Sequence, residues 1–184
     1  MSSRVPDEEK RFTAVYKLVT LGEAAVGKTS LVTKYVTGKF ERDYRKTLGI
    51  DISTYDADLD KGLFKLLIWD LAGQDIFRDL RTRYCQGASG GILVFDLTRP
   101  DTLESVPRWV EAFREAVGPE PILMLIGNKA DLDKRRKITR EEAEKVTQDL
   151  GLYTYKETSA KTGHQVAFAF NELAVLMYEK HMQP

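Results

Sequence analysis

Residues 22–30, Gly22-Glu23-Ala24-Ala25-Val26-Gly27-Lys28-Thr29-Ser30, restrict what this chain can fold into more than any other stretch. They fit the pattern Gly, four residues, Gly-Lys-Ser/Thr, which has meaning only between a strand and a helix. Both neighbours are present. Ala14-Val15-Tyr16-Lys17-Leu18-Val19-Thr20-Leu21 is apolar-rich and β-prone, and Ser30-Leu31-Val32-Thr33-Lys34-Tyr35-Val36 can form a helix.

The chemistry follows from the residue types. Gly22 and Gly27 let the backbone turn tightly and approach a ligand that a Cβ would obstruct. The amides of Gly22, Glu23, Ala24, Ala25, Val26 and Gly27 then face a concave anion site. The free N–H groups of Lys28, Thr29 and Ser30, opening the next helix, add partial positive charge. Lys28 offers a full charge to the β- and γ-phosphates of a nucleotide, and Thr29 a hydroxyl to Mg²⁺. The plainer alternative is a glycine-rich turn with an exposed lysine.

The remaining chain must supply a core around this loop. Its 184 residues, 42% hydrophobic and 30% charged, suit one globular domain, expected over 12–181 after a flexible extension at 1–11. Lys+Arg and Asp+Glu both number 28, so no charge excess argues for nucleic acid or an anionic membrane. The single cysteine, Cys85, excludes an internal disulfide and fits a reducing, cytoplasmic compartment. It reads as a small packing residue. His164 and His181 make no metal-ligand spacing with it. No run approaches the ~18 apolar residues of a membrane span.

Further along, Thr37–Gly49 reads as a long polar surface loop, of a length often tied to function. Asp60-Lys61-Gly62 joins two β-prone runs into a hairpin. The first run, Ile50–Leu59, sets Ile50, Ile52 and Thr54 against Asp51, Ser53 and Tyr55; the second, Leu63–Asp70, is more continuously apolar. Gly90–Asp96 and Pro121–Gly127 are buried strands, and Tyr153–Glu157 a short one. A helix opens at Pro100 with Asp101 or Thr102 as N-cap, aligns Leu103, Val106, Val110, Phe113 and Val117, and stops at Gly118-Pro119. Thr139-Arg140-Glu141-Glu142 starts another in capping-box form. Val166, Phe170, Leu173, Ala174 and Met177 stripe the last. Strands alternating with helices predict an α/β fold: a six-stranded, mostly parallel sheet with one antiparallel strand and helices on both faces. Ligands of such sheets bind beyond the carboxyl ends of the strands. Candidate motifs follow Leu21, Trp69, Gly127 and Glu157, all on that rim.

With these motifs in place, residues 13–180 resemble the Ras-like small GTPases, and their Rab branch most closely. Asn128-Lys129-Ala130-Asp131 matches N-K-x-D. The Asp131 carboxylate would accept two hydrogen bonds from guanine, a donor pair that adenine lacks. Asn128 would hold neighbouring loops and contact N7, and the Lys129 stem would cover the base. Thr158-Ser159-Ala160-Lys161 matches S-A-K, implying an Ala160 N–H to guanine O6, with Ser159 and Lys161 nearby. Asp70-Leu71-Ala72-Gly73-Gln74 matches D-x-x-G-Q. Asp70 would reach Mg²⁺ through water, Gly73 would bond the γ-phosphate, and Gln74 would orient the attacking water. Phe40, Tyr44 and Thr47 are spaced as in the family's first switch. Phe40 would pack on the base, Tyr44 would cover the phosphates, and Thr47 would ligate Mg²⁺.

The resemblance implies a GTP/GDP switch that hydrolyses GTP with Mg²⁺ and slow intrinsic turnover. Gln74, Lys28, Thr47 and Gly73 would carry the reaction. Arg45 reads as a solvated switch arginine, leaving a partner to supply a catalytic one. Effectors, exchange factors and activating proteins would bind residues 40–50 and 73–84 of a monomer, with Ile52, Trp69 and Tyr84 as an apolar triad. Three departures stand out. Ala24 replaces the usual Gly or Ser, so its methyl narrows an arginine's approach. Leu71 and Asp75 replace the commoner Thr and Glu. Glu179-Lys180-His181-Met182-Gln183-Pro184 holds no prenylatable Cys, so membrane attachment would need a partner or residues beyond this sequence. Two rivals remain: a guanine-nucleotide-binding module with negligible hydrolysis, against which Gln74 stands, and an ATP-using P-loop kinase, against which Asp131 stands.

Overall fold

The computed structural model describes residues 11–40, 49–72 and 83–182. The strands are β1 (Ala14–Leu21), β2 (Ile50–Leu59), β3 (Gly62–Leu71), β4 (Gly90–Asp96), β5 (Ile122–Asn128) and β6 (Thr154–Glu157). They form one sheet in the order β2-β3-β1-β4-β5-β6, with β2 antiparallel to β3 and every other pairing parallel. From β1 the chain builds β3 and β2 on one side, then crosses back to add β4 on the other. The connections leaving β1 and β3 therefore diverge, opening a crevice at the carboxyl end of β1. Residues 22–27 occupy that position.

Helices α1 (Lys28–Thr37) and α5 (Val166–Met182) cover one face. Leu31, Val32 and Tyr35 of α1 and Val166, Phe170, Leu173 and Met177 of α5 pack there on Leu18, Phe64, Leu66, Ile68 and Ile92. Helices α2 (Pro100–Glu104), α3 (Val106–Val117) and α4 (Arg140–Asp149) cover the other. Trp109, Val110, Phe113 and Ala143 pack there on Val19, Leu93, Phe95 and Leu125. Strands β4 and β5 are buried along their whole length because both cores press on them. Cys85 is buried in the second core, as a packing residue should be.

Two local expectations need correction. The single helix expected from Pro100 is two, broken at Ser105. Pro107 has no N–H to donate to Leu103, so it sits in the first turn of a new helix, where that donor is not needed. The first of these helices is capped by Arg99 in extended conformation, with Pro100 in its first turn, rather than by Asp101 or Thr102. On β2 the inward face is that of Tyr55 and Ala57, which meet α1 and α5; Ile52 on the opposite face is 52% exposed. The capping box held: Thr139 Oγ1 accepts from the Glu142 N–H, and the Glu142 carboxylate accepts from the Thr139 N–H.

Candidate nucleotide-binding site

The loop between β1 and α1 is held by its glycines against the protein's own atoms. Gly22 has φ +136°, and a Cβ there would lie 2.1 Å from the Val94 carbonyl oxygen; at Gly27, φ +101°, it would lie 2.3 Å from Asn128 Nδ2. Close packing on β4 and β5 thus forbids a side chain at both positions. Gly27 also caps α1 with no side-chain acceptor, so no capping side chain takes the first amides of the helix. Lys28 is buried, and its Nζ donates to the carbonyls of Gly22 and Glu23, both at 2.8 Å. A buried ammonium at a helix start whose first amides no side chain takes is a strong anion site.

Beside it, Thr29 Oγ1 donates to Asp70 Oδ2, and Thr20 Oγ1 donates to Asp70 Oδ1 at 2.7 Å. Burial pushes the Asp70 carboxyl above the usual range, with the Asp51 charge adding, against hydrogen bonds from Thr29 and Thr20 and the charge of Lys28. A buried carboxylate destabilised in this way, joined to a hydroxyl, is a hard oxygen pair suited to Mg²⁺. The other expected ligand, Thr47, lies outside the described residues, as do Tyr44, Arg45, Gly73, Gln74 and Asp75.

A cavity of about 440 Å³ opens next to the loop, bordered by Gly27, Phe40, Asn128, Lys129, Asp131 and Lys161. Asn128 is buried and links three segments. Its Nδ2 donates to Val26 O at 2.9 Å, and its Oδ1 accepts from Thr158 Oγ1 and the Ala160 N–H, both at 3.2 Å. Asp131 Oδ1 accepts from Ser159 Oγ at 2.6 Å, and Lys161 Nζ stands 3.9 Å from Asp131 Oδ2. Lys129, at φ +69°, donates from Nζ to Ala25 O at 2.8 Å and sits 2.7 Å from Asp96 Oδ2. Ala25, Ser30 and Ala160 also line the cavity. The Glu23 side chain is turned away: its carboxylate accepts from Arg108 and from Trp109 Nε1, leaving only its main chain for a ligand.

Several supporting residues had no local sequence signal. Arg136 holds Glu157 through two nitrogens, at 3.0 and 2.5 Å, and Tyr155 OH donates to the same carboxylate at 3.0 Å. This fastens the end of β6 to Arg136, the residue that closes the 3-10 turn Ala130–Arg135. Asp96 closes β4; burial alone would raise its carboxyl, but hydrogen bonds from Lys129 and Thr98 hold it below the usual range. A carboxylate ending the apolar run Gly90–Phe95 was the one visible clue.

An anion cradle at the sheet's switch point, a hydroxyl–carboxylate pair beside it and a carboxylate-bearing cavity next door define a P-loop nucleotide-binding domain. A sequence model of the Ras family matches residues 17–179. Ras-related protein RABA4b of Arabidopsis thaliana is 35% identical over 164 residues, 89% of this chain and 73% of that protein. The chain belongs to the Ras family of small GTPases, on its Rab branch.

Proposed function

We propose that the chain binds guanine nucleotide with Mg²⁺, hydrolyses GTP slowly to GDP and phosphate, and signals through the loss of the γ-phosphate. The observation that supports this best is the pairing of Asp131, fixed by Ser159, with the phosphate cradle, through Asn128, which bonds both sides. A carboxylate with one oxygen fixed and the other facing a lysine offers acceptors that match guanine's adjacent N1–H and amino donors, a pair that adenine lacks. Lys28 and the amides of residues 22–29 would neutralise the phosphates. Thr29 and Asp70 would hold Mg²⁺, which when bound supplies charge compensation to the phosphate oxygens. Thr47 and Gly73 would sense the γ-phosphate, and Gln74 would orient water for in-line attack.

Loss of the γ-phosphate would then change the surface near residues 40–50 and 73–84. A partner would read it together with Ile52 and Trp69, which are paired across β2 and β3, and Tyr84, whose ring centroid is 6.3 Å from that of Trp69. Denaturing freshly purified protein and identifying the released nucleotide tests the whole reading. Reloading with GTP separates turnover from capture of cellular GDP. GDP formed from loaded GTP supports the switch; GTP retained unchanged favours the non-hydrolysing module. Adenine nucleotide, or no uptake, overturns the assignment of Asn128 and Asp131.

A further inference from the structure

Four successive carbonyls of the loop each receive a side-chain donor: Glu23 from Lys28, Ala24 from Arg99 Nη1 at 3.1 Å, Ala25 from Lys129, and Val26 from Asn128. Lys28, Lys129 and Asn128 belong to the nucleotide motifs. Arg99 does not. It caps α2, and its reach to the loop spans 75 residues of sequence.

The residue between the Arg99 and Lys129 contacts is Ala25, at φ +62°. That left-handed conformation turns successive amides onto a shared anion, and it is strained for a residue with a Cβ. Each peptide unit is planar and trans, so holding its carbonyl on one side points its N–H to the other. Arg99 holds the peptide unit before Ala25, and Lys129 holds the carbonyl of the unit after it. Both donors are anchored on one turn. Lys129 Nζ is 2.7 Å from Asp96 Oδ2, and the Arg99 N–H donates to Asp96 O at 2.9 Å. Thr102 Oγ1 donates to Arg99 O at 2.7 Å, and Arg99 Nη2 donates to Asp101 Oδ2 at 2.9 Å.

We propose that Arg99 is a positioning residue for the phosphate cradle: with Lys129 it clamps Ala25 in the left-handed conformation that turns the loop amides onto the nucleotide phosphates. This rests on the nucleotide-binding reading above. The test follows release of fluorescent GDP from the Mg²⁺-loaded full chain. Arg99→Ala accelerates release about tenfold, the scale of one charge-assisted hydrogen bond. Arg99→Lys, which keeps a donor for Ala24 O, restores most of the loss. In an Ala25→Gly background, where φ above zero costs little, Arg99→Ala accelerates release by less than about threefold. Where Arg99→Ala does not fold, Asp101→Asn replaces it, with the same direction and a smaller factor. Unchanged release, equal factors in both backgrounds, or Arg99→Lys behaving like Arg99→Ala overturns the clamp. Wild-type protein that takes up no guanine nucleotide overturns the functional reading, and this inference falls with it.

Discussion

In the proposed reading, Asp131 sets the choice of ligand by itself. Ser159 occupies one lobe of its Oδ1, leaving the rest of the carboxylate facing the cavity. Asp131→Asn would set an N–H against the donors of guanine, so GDP affinity should fall about 100-fold by equilibrium titration, while xanthine nucleotide, which offers an acceptor there, should lose far less. Its place at the cavity was legible because N-K-A-D is contiguous. Arg136 was not legible, because its partner Glu157 lies 21 residues on and nothing local marks the pair. That pair also predicts a pH dependence. Hydrogen bonding from Arg136 first, against burial, holds the Glu157 carboxyl below its ordinary 4.5. A depressed carboxyl contributes stability above its unfolded pKa and loses it as pH falls through the folded value. Thermal melts from neutral pH down to about pH 3 should therefore decline more steeply below about pH 4.5 in the wild-type chain than in Glu157→Gln. Equal slopes would mean the pair is too solvated to matter.

Among the elements, α4 gives the plainest sequence-to-stability link. Its capping box satisfies amides at the helix start, and no residue of the helix lines the cavity. Thr139→Ala should cost about 1 kcal/mol, lowering the melting temperature by about 2–4 °C, with GDP release unchanged. The elements least legible in the sequence show why patterns fail. Apolar spacing alone carried one helix from Pro100 to Val117, while the proline at 107 decided the break at Ser105. On β2, Tyr55, Ala57 and Leu59 face α1 and α5, while Ile52 stays exposed. Which face is covered depends on where α1 and α5 land, and strand alternation cannot encode that. The strand–loop–helix opening, by contrast, was legible entire, because turn, charge and hydroxyl sit within nine residues.

For the whole molecule, the sheet order puts the cradle, the Thr29–Asp70 pair and the base-side cavity on one rim, so ligand and fold should stabilise each other. If Thr29 and Asp70 hold Mg²⁺, chelating it from the GDP-loaded protein removes the cation from the buried Asp70 carboxylate and leaves only Thr29, Thr20 and Lys28 to offset its burial. It should speed nucleotide release and lower the melting temperature together, as calorimetry with and without chelator would measure. Release that ignores the chelator would detach Thr29 and Asp70 from the metal. The bonds on the loop carbonyls have a consequence in time. Lys129 and Asn128 lie 104 and 102 residues from the carbonyls they hold. Segments this distant are expected to meet only after non-local pairing has closed the intervening chain. A chain emerging from the ribosome makes the Gly22–Ser30 motif first, yet cannot shape it until β5 arrives. Nucleotide capture then marks the end of folding rather than its beginning, and an excess of nucleotide should slow unfolding without hastening the early steps of refolding.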